Sequence, residues 1–215
     1  MPDLGHPGES NSLRWIVVLP DECYLLLHEV RLRGRMEIAE EHHVLSPLLA
    51  GGLVVRSRTA VRITEAGRDL HASWARVAPG SEQERVVSRA YERFLPLNAE
   101  LLRVCHDWQV RPGDVPNDHR DVRYDWSVID RLRALDERVA PVVRRVAREV
   151  ARFEGYARRL RSALARVEEG EHDWFTSPRL DSYHTVWMQL HEDLLLALGR
   201  DRASEAAGNE RATPG

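Results

Sequence analysis

The stretch Leu53-Val54-Val55-Arg56-Ser57-Arg58-Thr59-Ala60-Val61-Arg62-Ile63-Thr64-Glu65-Ala66-Gly67-Arg68 constrains this chain more than any other. Two short β-prone runs flank a small polar turn, which is the pattern of a hairpin. Thr64 then stands where a helix N-cap belongs, directly ahead of a helical pattern through about Ala78. A hairpin feeding straight into a helix needs something to pack on, and the residues before Gly51-Gly52 must supply it. Asp21 is expected to cap a helix to about Arg33, with Gly34 as its stop. Met36 to Ala50 is helical in tone but interrupted by Ser46-Pro47. Trp15 to Leu19 is a compact apolar run ended by Pro20, readable as a short strand or a helical turn.

Pro79-Gly80 is the strongest break in the chain. Ser81, with Glu84 three residues on, has the form of a capping box, and the helix it opens is expected to reach about Trp108. A polar loop occupies Arg111 to Asp121. A helix from about Tyr124 to Ala140 follows, with Pro141 starting or kinking the next. From Val139 the apolar residues Val142, Val146, Val150, Phe153, Tyr156, Leu160, Leu164 and Val167 recur at helical spacing. Gly170 ends that stripe. Ser177-Pro178 reads as an N-cap and first-turn pair for a last helix to about Leu198. The expected fold class is therefore mostly α: a small winged-helix α+β module over 12–79, then an all-helical bundle over 80–199. Segments 1–11 and 200–215 read as disordered tails.

The hairpin and its flanks resemble winged-helix regulators of the multiple-antibiotic-resistance type. The resemblance rests on Gly52-Leu53-Val54 and Ile63-Thr64-Glu65-Ala66-Gly67-Arg68 and covers roughly residues 20–78. It implies DNA as a partner. On that reading Arg56, Arg58 and Arg62 meet phosphates or the minor groove, and His43 and Ser46 lie on the recognition element. The sequence departs from the family at one place. Only sixteen residues separate Gly34 from Gly51, where two helices and a turn take roughly 25. One helix is lost or the recognition helix is a stub, and its face would carry Glu37, Glu40, Glu41, His42 and His43. Those carboxylates repel phosphate.

The second half concentrates His, Asp and Trp. Trp108, Trp174 and Trp187 are candidate walls of a ligand pocket, and Asp107, His119, His172, Asp181, Tyr183, His184 and His191 its candidate polar groups. Three other readings stay open. His184 and His191 sit on the stripe Leu180, His184, Trp187, His191, Leu194, Leu198 and could be core histidines bonded to a carbonyl or carboxylate. The same two, with a carboxylate from another segment, could ligate a metal, although seven residues of helix hold them about 10 Å apart. His172-Asp173 or His184-Asp181 could act as an acid–base pair. Phe94-Leu95-Pro96-Leu97-Asn98, Asp107-Trp108-Gln109, Pro116-Asn117-Asp118-His119 and Asp181-Ser182-Tyr183-His184-Thr185-Val186-Trp187 also resemble the helical portion that follows winged helices in actinobacterial proteins labelled regulators. Arg144, Arg145, Arg148, Arg152, Arg158, Arg159 and Arg161 read as a solvated helix face, with a nucleic-acid or dimer contact as the alternative.

Composition bounds the rest. The formal charge is −3, so no global basic field favours nucleic acid. Every one of the 31 basic residues is arginine. Cys23 and Cys105 form no paired motif, and no run is long enough to span a membrane, so a cytoplasmic protein is expected. The leading expectation is a DNA-binding regulator, a homodimer whose helical half senses an unknown small molecule or dimerises, without cofactor. The alternative is a winged-helix descendant that has abandoned DNA and binds or converts a small molecule in the helical half. Catalytic residues are not assigned.

Overall fold

The computed structural model describes residues 19–37 and 43–200. Expectations for the two tails, for Trp15 to Val18 and for Glu40, Glu41 and His42 lie outside the described residues. The N-terminal elements run α1 (Asp21–Arg33), β1 (Met36–Glu37), α2 (Leu45–Ala50), β2 (Val54–Ser57), β3 (Ala60–Ile63) and α3 (Glu65–Ala75). The strands form an antiparallel sheet in the order β1-β3-β2, with Met36 opposite Val61 and Val54 opposite Ile63. Leu27, Val30, Leu45, Leu48, Val54, Val61 and Ile63 close a core of their own between α1, α2 and the sheet.

Met36 and Glu37 are thus strand, not helix, because β3 offers them an open edge. Among the described residues of that stretch, helix covers six, Leu45–Ala50. Pro47 lies third in that helix, where the backbone N–H has no intrahelical acceptor, so its missing donor removes no bond. Asp21 is the first helical residue rather than a cap; the N-cap is Pro20. There its carboxylate still favours the positive end of the helix dipole. Thr64 caps α3 as expected: its hydroxyl accepts from the Gly67 N–H at 3.0 Å. The hydroxyl hydrogen faces the carbonyls of Gly52 and Leu53 at 2.7 and 3.0 Å. One side chain therefore ties the hairpin stem to the helix start.

The second body comprises α4 (Glu82–Gln109), a small hairpin of β4 (Val110–Arg111) and β5 (Val115–Pro116), α5 (Val122–Glu149), a 3-10 turn (Ala151–Phe153), α6 (Glu154–Glu168), α7 (Asp173–Thr176) and α8 (Tyr183–Ala197). Ser81 caps α4, accepting from the Glu84 N–H at 3.1 Å, and Glu84 accepts from the Gly80 N–H at 2.6 Å. Three expectations are corrected here. The helix expected to stop at Ala140 continues through Pro141 to Glu149, held by the buried face Val139, Ala140, Val143 and Val146. The long stripe is two helices, because the backbone turns at Val150 and drives Phe153 into the core. The last helix starts at Tyr183, not at Ser177-Pro178. Ser182 caps it, while Ser177 closes α7 and its carbonyl accepts from Thr185 Oγ1 at 3.1 Å.

The two bodies meet where α1 and α3 lie on α8. Val77 belongs to the second core, and its N–H donates to the Ala197 carbonyl at 3.0 Å. Gly67 shows how tightly the hairpin seats on α3: a Cβ there would stand 2.0 Å from the Leu53 carbonyl oxygen. Gly67→Ala is expected to destabilise the fold by about 1–3 kcal/mol through that overlap. Gly155→Ala, a helical position where a Cβ meets nothing within 4 Å, is expected to stabilise by about 0.5–1 kcal/mol. Urea denaturation of the two variants measures both, and equal midpoints would contradict the packing described.

Candidate functional site

The hairpin turns through Arg58-Thr59, and Arg58 takes a left-handed φ of 56°. The Arg56 Nε donates to the Arg58 carbonyl at 3.1 Å, which fixes the ribbon tip. Arg56, Arg58 and Arg62 are all exposed, as are His43 and Ser46 beside them in sequence on and before α2. His43 stands 3.6 Å from Glu22 of α1.

The ten candidate pocket residues are not brought to one place. At the end of α4, Trp108 stacks on Phe175 with ring centroids 4.4 Å apart, and His119 and His172 lie against it at 4.4 and 5.3 Å. Asp125 holds the His119 Nδ1 at 3.2 Å, and the Asn117 amide donates to Asp125 at 2.8 Å. Asp107, on the same helix end, pairs with Arg131 at 2.6 Å, while Trp174 sits under the Arg166 guanidinium at 5.1 Å. A second group is core. Trp187 is fully buried, stacks on Phe94 at 4.8 Å and donates its indole N–H to Asn98 at 3.0 Å. His191 packs beside Phe94 at 5.2 Å. The Tyr183 hydroxyl donates to buried Asp136 at 3.3 Å, and burial with that neighbouring carboxylate drives the phenol well above its usual range. The third group faces α1: His184 lines a cavity of about 700 Å³ with Arg31 and Glu192, and Asp181 binds Arg33 at 3.0 Å and Arg159 at 3.1 Å. Asp181 is therefore the partner of two arginines. Among the described residues no group of three His, Cys, Asp or Glu could hold a metal ion. Both cysteines are buried, and burial pushes the Cys105 thiol up to about 12, which leaves it unreactive.

The densest polar arrangement lies elsewhere, at the seam between the two bodies. Asp193 of α8 is completely buried. Its Oδ2 accepts from His28 Nε2 of α1 at 3.2 Å and from the Tyr156 hydroxyl of α6 at 3.2 Å. Its Oδ1 accepts from the Arg152 Nε at 2.8 Å. His28 Nδ1 lies 2.9 Å from His71 Nε2 of α3. Trp74 roofs the group, 5.7 Å from the Arg152 guanidinium and 5.8 Å from the His28 ring, and Tyr24 stacks on it at 5.3 Å.

Each charge in this group has a physical assignment. Burial alone would raise the Asp193 carboxyl, but His28 and then Arg152 outweigh it and hold it below the usual carboxylate range. An ionised Asp193 requires the proton on His28 Nε2. Burial, then His28 and Arg31, pull His71 down to about 3, so that imidazole is neutral. Whichever of the two rings donates in the His28–His71 contact, His71 Nδ1 has no hydrogen-bond partner among the described residues. The His28 ring thus bridges a carboxylate in one body to an imidazole in the other.

Sequence reasoning misses His28, His71, Arg152 and Tyr156 as a unit. Arg152, expected on a solvated face, has a side chain only 8% exposed. A signal is present. His28 and Asp193 each interrupt an otherwise apolar helical stripe, and a polar group at such a position demands a buried partner. Comparison with protein-family models, with curated proteins and with solved structures finds no match.

His71 and Asp193 act in the same direction as the pH falls into the acid range. His71 is depressed from 6.5 to about 3, so its contribution is present above 6.5 and is lost as the pH falls toward 3. Asp193, also depressed, contributes above the ordinary carboxylate range and is lost at more acid pH. Stability is expected to fall steadily from pH 6.5 to 4, and His71→Phe to flatten that slope. Chemical denaturation at half-unit pH steps measures it; an unchanged slope in the variant would remove His71 from the account.

Proposed function

We propose that this chain is a DNA-binding transcriptional regulator: a winged-helix module seated on a helical body that senses a small molecule and pairs with a second copy. The observation that carries the reading is the sheet order β1-β3-β2 with an exposed hairpin bearing Arg56, Arg58 and Arg62, entered from α2 and leaving into α3. In this reading the hairpin is the wing and α2 the recognition element. Six residues give α2 a length of only about 9 Å. Its exposed residues Ser46, Pro47 and Ala50 bear no charge. Base-edge contacts are then few, and arginine–phosphate contacts carry most of the affinity.

The shortness of α2 also favours a second reading, in which the module no longer engages DNA and the protein binds or converts a small molecule. A gel shift against DNA from upstream of the protein's own gene, at 50 and 200 mM salt, separates the two. Retardation at low salt supports the regulator; its absence leaves the second reading. Arg56→Ala with Arg58→Ala is expected to weaken binding and to lower the slope of log K against log salt by about 0.9 for each phosphate no longer neutralised. An unaltered slope would show that the hairpin does not meet the backbone.

A further inference from the structure

Beside the buried seam, α1, α6 and α8 enclose a cavity of about 490 Å³ whose lining is unusually basic for a chain of net charge −3. Arg33, Arg152, Arg158 and Arg159 line it, against Glu29 and Asp181. The four arginines have different degrees of satisfaction. Arg158 has no ion pair or hydrogen bond among the described residues and stands exposed at the mouth. Arg152 lies at the floor, nine-tenths buried, with its Nη2 lacking any hydrogen-bond partner among the described residues. Arg33 and Arg159 share one carboxylate, Asp181, at 3.0 and 3.1 Å, and Arg159 also donates to the Gln189 amide oxygen at 2.6 Å.

Asp181 stands between α7 and α8, outside both helices. It reaches across to guanidinium groups of α1 and α6, so a carboxylate already occupies the point where the positive field is concentrated. We propose that this cleft is a binding site for a small multiply charged anion, a phosphate ester or a di- or tricarboxylate, and that Asp181 is the internal group such a ligand displaces. Guanidinium forks match phosphate and carboxylate oxygens in pairs, and the cavity volume is that of a small-metabolite site. A ligand bearing two or more negative charges would engage Arg33 and Arg159 in place of Asp181 and draw Arg158 over it. No hairpin residue lines the cavity, so the inference goes beyond the DNA reading and does not require it.

Isothermal titration of the full chain with pyrophosphate and, separately, citrate, at ionic strength fixed with sodium chloride, tests it. One saturable equivalent of either anion is expected: pyrophosphate alone would point to phosphate esters, citrate alone to carboxylates. Arg158→Gln and Arg159→Gln are expected to weaken binding by about tenfold or more. Asp181→Asn, which keeps the shape but removes the competing charge, is expected to tighten it. Circular dichroism checks that each variant folds, and Arg158, being exposed, serves if Arg159→Gln does not. No saturable heat with either anion, or equal affinity in wild type and in all three variants, would overturn the proposal. Binding abolished only in the Arg56→Ala, Arg58→Ala protein would also overturn it by moving the anion to the hairpin.

Discussion

A single carboxylate without access to water ties the two bodies of this molecule to one another. Asp193 satisfies three donors from three different elements, two of them in the body that carries it and the third in the hairpin module. An ionised group at such a position is tolerable only when fully engaged, because stripping one partner from a buried pair costs about 3–5 kcal/mol. That penalty is what makes the relation between the two bodies definite. A purely apolar seam would let α1 and α3 slide on α8 over several packings of similar energy. A carboxylate that must meet His28, Tyr156 and Arg152 together admits one. The neutral His71 extends the constraint, since its Nε2 is committed to His28.

Charge around the seam is layered. Inside, Asp193 and Arg152 balance each other. Outside, Arg31 with Glu192 at 2.7 Å and Arg33 with Asp181 repeat the link between α1 and the helical body at half-exposed positions. Such outer pairs contribute little to stability individually. Their weakness suits groups that exchange partners, whereas the inner set suits groups that do not. The same side of α1 therefore presents a fixed layer and an exchangeable one, and the basic cleft opens on the exchangeable layer.

Much of the fold is legible in the chain. Thr64 ahead of a helical pattern, Ser81 with Glu84, and the Arg58-Thr59 turn each act through neighbours in sequence, and each stands where local chemistry puts it. The misreadings share one cause. Pro141 and Ser177-Pro178 look like boundaries by local rule, but the buried face of α5 and the Ser182 cap decide those ends through contacts remote in sequence. Pro47 looks disruptive until its place in the first turn of α2 is known. The His/Trp residues group together because they are dense in sequence; the structure distributes them among a packed helix end, the core and the α1 cleft. The seam is hidden because its bonded partners are separated by 37 to 165 residues, and nothing in one sequence says which polar interruptions of which stripes will meet.

Thr64 and His71 stand at opposite duties on the same short helix. One binds the hairpin stem, the other abuts the histidine of α1, and about 10 Å of α3 separates them. Gly67 between them is pressed flat against Leu53, so there is no slack at the near end. Helix α3 thus joins, without an intervening turn, the stem of the arginine-bearing hairpin to an interior imidazole whose second nitrogen is uncommitted among the described residues.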